Sequence, residues 1–394
     1  SINVFSPVFN GGEGQWTLSL RSETTESHCR PGQLKEYCYC NDCFITNINH
    51  KFRACIGKNK ILSPNEKVLI CLSGDASSTV LLDLIHVGLS LNNHKKLRIL
   101  ILIFLSERDS EGEEISKVIV EQCKNYNFNI TLVNIDEYFN KNILCNDNTM
   151  KNHYQPSISK NVLLNIPTSI SEDVLTKMKQ NIFIKIAKQL KCRIIFTAET
   201  TTLLATRLLS NIAIGRGSQV ENDIGFADKR EENVKILRPM RDITNEEIDH
   251  YLRIKELNPA TDILGKGYGT SLQSVIRNFV LDLQENYPAT VSTICKTADK
   301  IGSVTDNVNK KKCIICQSNL DCNQLNLTAV DATMFSRKVS SKVINSNENL
   351  KHIEEGNNLM FPFIYEKLCY CCSRNISQLN DPMLQTLVCR NDDK

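Results

Sequence analysis

No run of apolar residues in this chain is long enough to span a bilayer, and its opening, SINVFSPVFN, is too short and mixed for a secretory signal. The first residue is Ser rather than Met, which leaves room for a missing start. Charge of one sign is also lacking. The net charge is +3, so bulk electrostatics identify no partner. There is no internal repeat and no Ser/His/Asp arrangement. His50 reads as a surface residue.

Cysteine, by contrast, is abundant. Seventeen residues, an odd number, in a 394-residue chain with no signal pattern point to thiols and metal rather than disulfides. Cys71 and Cys192 fall beside apolar runs and read as small core hydrophobes.

The chain is long enough for one large domain with smaller additions. Residues 1–36 show little periodicity and are expected to form a poorly ordered lead-in. Residues 37–60 hold a cysteine pair and a basic helix. From 61 to 305, strands alternate with helices: Val68 to Leu72, Leu97 to Leu105, Asn129 to Ile135, Arg193 to Thr197 and residues 234–240 read as strands. That alternation predicts an α/β fold with a doubly wound parallel sheet. Helices are expected over Val80 to Ile85, Ile115 to Cys123, Ser171 to Leu190 with Ser171 as cap, the segment ending near Gly215, Thr244 to Leu252 with a Thr244/Glu247 capping box, and residues 271–286. An Asn-rich insert interrupts this domain at about 136–170. The tail, 306–394, changes character and is read as a metal module.

The segment Glu66 to Ser78, EKVLICLSGDASS, reads strand, tight turn, helix. A helix start offers unpaired N–H groups and a positive dipole end to an anion. The pattern resembles the S-G-G-x-D-S loop of the PP-loop ATP pyrophosphatases. Ser73, Gly74, Ser77 and Ser78 would form the ATP site, with Ser77 and Ser78 as helix caps. However, Asp75 replaces the second glycine and Ser77 the acid. A carboxylate about 5 Å from a phosphate charge costs roughly 3 kcal/mol at an effective dielectric of about 20. Two readings remain, a bare strand–helix turn or weak residual nucleotide binding. Full ATP-dependent catalysis is disfavoured.

Two C-x-x-C pairs, Cys313/Cys316 and Cys369/Cys372, stand far apart in the tail. Each turn places two thiolates on one ion, and two turns complete a Cys₄ structural zinc site. Unrelated thiol pairs or a redox pair are the alternatives. Cys322 and Cys371 are spare, and Cys371 could replace a neighbouring ligand. At the other end Cys40 and Cys43 form a single pair that needs a second to close a zinc site. Cys29 and Cys38 are irregularly spaced candidates.

The segments YCNDCF, HKFRACIGKNKI, EKVLICLSGDASST, ATRLLSNIAIGRG, RPMRDIT, YPATVSTICKTADK, CIIC and LCYCC occur in this order. Together they resemble the cytoplasmic tRNA 2-thiolation protein 2 family from about residue 37 to 375. The resemblance implies a cytoplasmic, non-catalytic subunit of the complex that 2-thiolates the wobble uridine of tRNA Lys, Glu and Gln. It implies a heterodimer with the related tRNA 2-thiolation protein 1. That partner carries an intact PP-loop, adenylates the uridine and accepts sulfur from a ubiquitin-related modifier. The family loop is itself degenerate, usually S-G-G with Ser for Asp, so Asp75 departs further. The family also carries a C-x-x-C upstream of Cys40, where this chain offers Leu20 to Glu23. Residues before about 37 are therefore expected to reflect a different start. Ser106-Glu107 stands where the family often has Asp-Glu.

Lys51, Arg53, Lys58 and Lys60 cluster near the first cysteines, and Arg207 and Arg216 flank the helix and glycine turn of the fourth αβ unit. On residues alone these read as solvated basic faces. With the resemblance, the 51–60 cluster is expected to contact tRNA, while Arg216 is equally suited to fixing its turn or touching the partner. The competing functions are an active ATP-dependent enzyme of the same superfamily and a zinc-stabilised RNA-binding scaffold.

Overall fold

A computed structural model describes residues 2–4, 19–21, 40–63, 66–90, 97–105, 110–128, 130–134, 167–217, 220–261, 271–301, 311–320, 333, 337 and 367–378. Its centre is a six-stranded sheet in the order β5-β4-β3-β6-β8-β7. These strands are β3 (Glu66–Leu72), β4 (Leu97–Leu105), β5 (Ile130–Asn134), β6 (Ile194–Phe196), β7 (Ala227–Asp228) and β8 (Lys235–Leu237). All pairings are parallel except β7 with β8. The chain builds outward from β3 through β4 to β5, then crosses over to β6 on the other side of β3. The crevice between the carboxyl ends of β3 and β6 is thus the topological switch point, where open α/β sheets hold ligands.

The strand β3 is buried on both faces, as a central parallel strand must be. Its alternation divides the core. Val68, Ile70 and Leu72 face one cluster with α1 (Asn41–Asn59), α2 (Ala76–Ser90) and α7 (Asn245–Lys255). Leu69 and Cys71 face the other, against α4 (Thr168–Gln189) and the cysteine-rich tail. The helix α4 packs through Ile170, Val174, Met178, Ile182 and Ile186, a stripe at intervals of four residues. Helices α5 (Thr201–Ala213), α6 (Val220–Ile224), α8 (Leu272–Asn286) and α9 (Pro288–Ile301) share a third cluster centred on Leu204, Leu208, Val280 and Val291. Helix α3 (Ser110–Asn125) follows β4, and α10 (Tyr370–Ser377) belongs to the tail.

Several expectations are corrected. Pro167, not Ser171, occupies the N-cap position of α4 and makes no side-chain cap hydrogen bond; Ser171 sits inside the helix, whose first turn has no acid. The fixed φ of proline suits a helix entrance, and Thr168 can begin the helix directly after it. Residues expected to end the polar insert belong to this helix, while 135–166 lie outside the described residues. Within the lead-in, β1 (Ile2–Val4) and β2 (Ser19–Arg21) pair antiparallel. The helix over Pro288–Ile301 was not anticipated. By contrast, the Thr244/Glu247 capping box is present with both of its hydrogen bonds, and Cys71 and Cys192 lie in the core.

Candidate functional site: a closed phosphate loop and a four-cysteine centre

Gly74 lies between β3 and α2 with φ of +83°, a conformation that favours glycine. A Cβ there would also meet Ile119 Cδ1 at 2.8 Å. Asp75 follows, and its carboxylate caps α2: Oδ1 accepts the Ser78 amide at 2.8 Å. The cap is therefore Asp75, not Ser77 or Ser78. Asp stands just before the helix, where its side chain reaches the third helical N–H, whereas the two serines are already inside it. Ser78 instead closes the turn. Its hydroxyl accepts from the Gly74 amide at 3.0 Å and donates to the Asp75 carbonyl. The Gly74 carbonyl accepts the amides of Ala260 at 2.9 Å and Thr261 at 3.0 Å. Ser73 is exposed, and Ser77 and Ser78 are buried. The backbone amides of Gly74 and Ser78 are thus both engaged within the loop.

Across the crevice, beyond β6, Glu199 pairs with both Arg207 and Arg238. Burial opposes ionisation of Glu199, but the two guanidinium groups outweigh it and hold its carboxyl down to about 2. Burial lowers Lys179 on α4, while Asp75 and Glu172 pull it back up. Sequence reasoning missed Glu199 and Arg238. The available signal was an acid three residues beyond a parallel strand at the switch point, matched by an arginine directly after β8.

The second constellation is in the tail. The sulfurs of Cys313, Cys316, Cys369 and Cys372 all lie within 4.8 Å of one another, and all four residues are buried. Cys316 and Cys369 Sγ are 3.6 Å apart. Four thiolates around one ion at about 2.3 Å would sit roughly 3.8 Å apart in a tetrahedron. The donors therefore fit a single thiophilic ion. An iron–sulfur cluster spreads its four cysteines over several irons, farther apart than around one ion. The turn at Cys313–Cys316 is set by the Cys313 amide on the Ser318 carbonyl at 2.7 Å, and the Ile314 amide on Lys367 carbonyl at 3.1 Å joins the two pairs. Hydrogen bonding from Cys313 holds Cys316 well below the ordinary thiol range. Cys369 and Cys372 are pushed up by the same neighbour. Four such thiols cannot all ionise together without a cation.

Cys371 lies outside this group. Its Sγ accepts from Arg216 Nη2 at 3.1 Å. Arg216 has a side chain only 2% exposed and forms a two-pronged pair with Asp173 at 2.6 and 2.9 Å. Arg207 is likewise engaged with Glu199. Arg216 is thus buried in an ion pair, and Arg207, with its side chain 19% exposed, is held in another, as desolvated guanidinium groups need matching carboxylates. The N-terminal cluster is different. Arg53 and Lys58 on α1 and Lys60 at its C-cap are exposed, and Lys51 Nζ meets Glu247 at 2.6 Å. Cys40 caps α1, with Sγ accepting from the Cys43 amide at 3.4 Å. Both cysteines are half-buried, and they join no larger metal-ligating group among the described residues. Cys29, Cys38, Cys322 and Ser106-Glu107 lie outside the described residues.

A mostly parallel α/β sheet of the PP-loop type together with a buried four-cysteine group in the tail defines the class of this protein. The solved U34-tRNA thiolase NcsA from Methanococcus maripaludis, described with its [4Fe-4S] cluster, shares the fold. It has a TM-score of 0.54 and 16% identity, over 79% of this chain and 93% of that one. The family model of cytoplasmic tRNA 2-thiolation protein 2 matches residues 271–374. Proteins of that name from Drosophila yakuba and Aedes aegypti are 32% and 33% identical to this chain, each over 80% of it and over 80% and 78% of their own lengths. The chain belongs to the cytoplasmic tRNA 2-thiolation protein 2 family. No described helix is long and apolar enough to cross a membrane.

Proposed function

We propose that this chain is a non-catalytic subunit of a cytoplasmic complex that converts the wobble uridine of tRNA to 2-thiouridine. Family membership supports the pathway, and the relatives' shared name supports the compartment. The observation that carries the non-catalytic role is the Asp75 carboxylate on the Ser78 amide. It puts a fixed negative charge where a phosphate would sit and takes one of the donors a phosphate would need.

The phosphoryl chemistry then falls to the partner with an intact loop, the tRNA 2-thiolation protein 1. In this scheme the uridine C2 oxygen attacks the α-phosphorus of ATP and pyrophosphate leaves. Sulfur supplied by a ubiquitin-related modifier then attacks C2, AMP leaves with the former C2 oxygen, and water cleaves the bond between that sulfur and the modifier. The present chain supplies architecture, and exposed cations on α1 (Arg53, Lys58, Lys60, with Lys51 beside them) for the backbone of tRNA Lys, Glu and Gln. Cys313, Cys316, Cys369 and Cys372 hold a structural zinc ion that joins the 306–394 module to the domain at 61–305. Cys40 and Cys43 supply half of a second such site. Ser73, Gly74, Ser77 and Ser78 remain as the outline of a lost ATP site.

The test is thiolation of a tRNA transcript by the purified chain, alone and with its intact-loop partner, given ATP and a sulfur donor. Activity is expected only in the mixture. Thiolation by this chain alone, or full activity of the partner without it, would overturn the proposal.

A further inference from the structure

The glycine turn after α5 and the second cysteine pair, far apart in sequence, meet in space. Gly215 has φ of +83°, and the Tyr370 ring lies over it: a Cβ on Gly215 would come within 3.0 Å of Tyr370 Cδ1 and Cε1. The next residue, Arg216, reaches Cys371 Sγ at 3.1 Å and Cys372 Sγ at 3.9 Å through Nη2. Asp173 on α4 orients that guanidinium. Asn375 on α10 donates at 2.7 Å to Asp173 Oδ2, the same oxygen that accepts Arg216 Nη2. The arrangement runs α4 carboxylate, α5-turn guanidinium, tail sulfur, with α10 returning to the carboxylate.

Two chemical consequences follow. Four thiolates on one divalent ion leave a buried charge of −2 that needs nearby donors, and groups behind the ligands set how tightly a metal is held. In addition, Cys369-Tyr370-Cys371-Cys372 offers three thiols for two coordination positions. A hydrogen bond from a buried guanidinium keeps one of them occupied elsewhere.

We infer that Arg216 is a positioning residue of the four-cysteine centre. It holds Cys371 out of the coordination sphere, leaves Cys372 to the ion, and fastens the tail to α4 through Asp173. This rests on the reading of Cys313, Cys316, Cys369 and Cys372 as a metal site.

Cobalt(II) titration of the full chain tests both levels separately. The parent is expected to bind one equivalent, with the sulfur-to-cobalt charge-transfer band of four thiolates. A parent that binds no cobalt overturns the metal reading itself. Given parent binding, Cys371→Ser should keep the band intensity, whereas Cys372→Ser should lose about a quarter of it. Arg216→Gln should weaken cobalt binding about 10- to 100-fold in chelator competition and shift the charge-transfer band. Arg216→Lys should recover part of the affinity, because it keeps the charge without the two-pronged fork. It also carries the test if the glutamine variant does not fold. The inference about Arg216 is overturned by parental affinity and an unshifted band in either Arg216 variant. It is equally overturned if Cys371→Ser loses the intensity that Cys372→Ser retains.

Discussion

The backbone amide of Ser78 donates to the carboxylate of Asp75 across 2.8 Å. The residue that removes a glycine from the phosphate loop therefore caps the helix behind it. Its effects on binding and stability have opposite signs. Asp75→Ala should lower the unfolding free energy by about 1 kcal/mol, while Asp75→Asn, which can still accept the amide, should stay within about 0.5 kcal/mol of the parent. Urea denaturation separates the two. In the pair Asp75→Gly with Ser77→Asp the fixed charge is gone and the lost acid restored. ATP binding measured by calorimetry should rise by up to about two decades. A double variant that binds no better than the parent would place the block in the geometry closed by Ser78 Oγ and Ala260, rather than in the charge.

Glu199 gives a pH prediction. Held to about 2 by Arg207 and Arg238 against an ordinary value of 4.5, it gives up protons more readily folded than unfolded. Its contribution is therefore complete above about pH 4.5 and disappears as pH falls through that value to about 2. Its size is at most roughly 3 kcal/mol. Asp223 and Asp228 are depressed too, each against the opposition of its own burial, chiefly by Arg230. The parent alone thus cannot isolate Glu199. The difference in unfolding free energy between the parent and Glu199→Gln should shrink over that acid window. At neutral pH the variant should be less stable by about 3 kcal/mol or more, since two buried guanidinium groups lose their carboxylate. A difference independent of pH would remove Glu199 from the acid transition.

The elements most legible in the sequence were those decided by burial. LRILILIFL is a strand end to end, as a near-continuous run of Leu, Ile and Phe of strand length predicts, and Thr244 with Glu247 announces its own capping box. The two C-x-x-C pairs converge as their chemistry required. What stayed hidden was set by partners remote in sequence. Arg207 and Arg216 look like surface cations until Glu199 and Asp173 arrive from other elements. The role of Asp75 was half visible: its charge was evident, but capping depends on where the helix starts. Ala76 begins it, two positions earlier than a Ser77 cap would require.

Metal removal should affect the tail and its contact with α4 together, since the four cysteines share a hydrophobic cluster with Val174, Met178 and Ile182. At free zinc about 1,000 times its dissociation constant, the ion would add roughly 4 kcal/mol to stability. A chelator should therefore lower Tm by several degrees, and Cys313→Ser should lower it without a chelator. Only deprotonated thiols bind the ion, so zinc release, followed with a chromogenic chelator, should increase as pH falls. A chelator-independent Tm in a chain shown to contain zinc would mean that the ion does not tie the tail to the domain.

The basic face of α1 makes the last prediction, because its cations differ in their surroundings. Arg53, Lys58 and Lys60 are exposed, whereas Lys51 is shared with Glu247 on α7. Each exposed cation that neutralises a phosphate should contribute about one unit to the slope of log binding constant against log salt. Changing Arg53, Lys58 and Lys60 to Gln should weaken tRNA binding by the assembled complex and flatten that slope by roughly two to three units, with little effect on stability. Lys51→Gln should weaken binding less and also loosen the α1–α7 contact. Arg207→Gln should do the reverse, lowering stability through Glu199 while leaving the salt slope where it was. Filter binding across a salt series, paired with thermal denaturation, reads both quantities on the same samples. An unchanged slope in the triple variant would remove α1 from the tRNA contact and leave its cations as a solvated face.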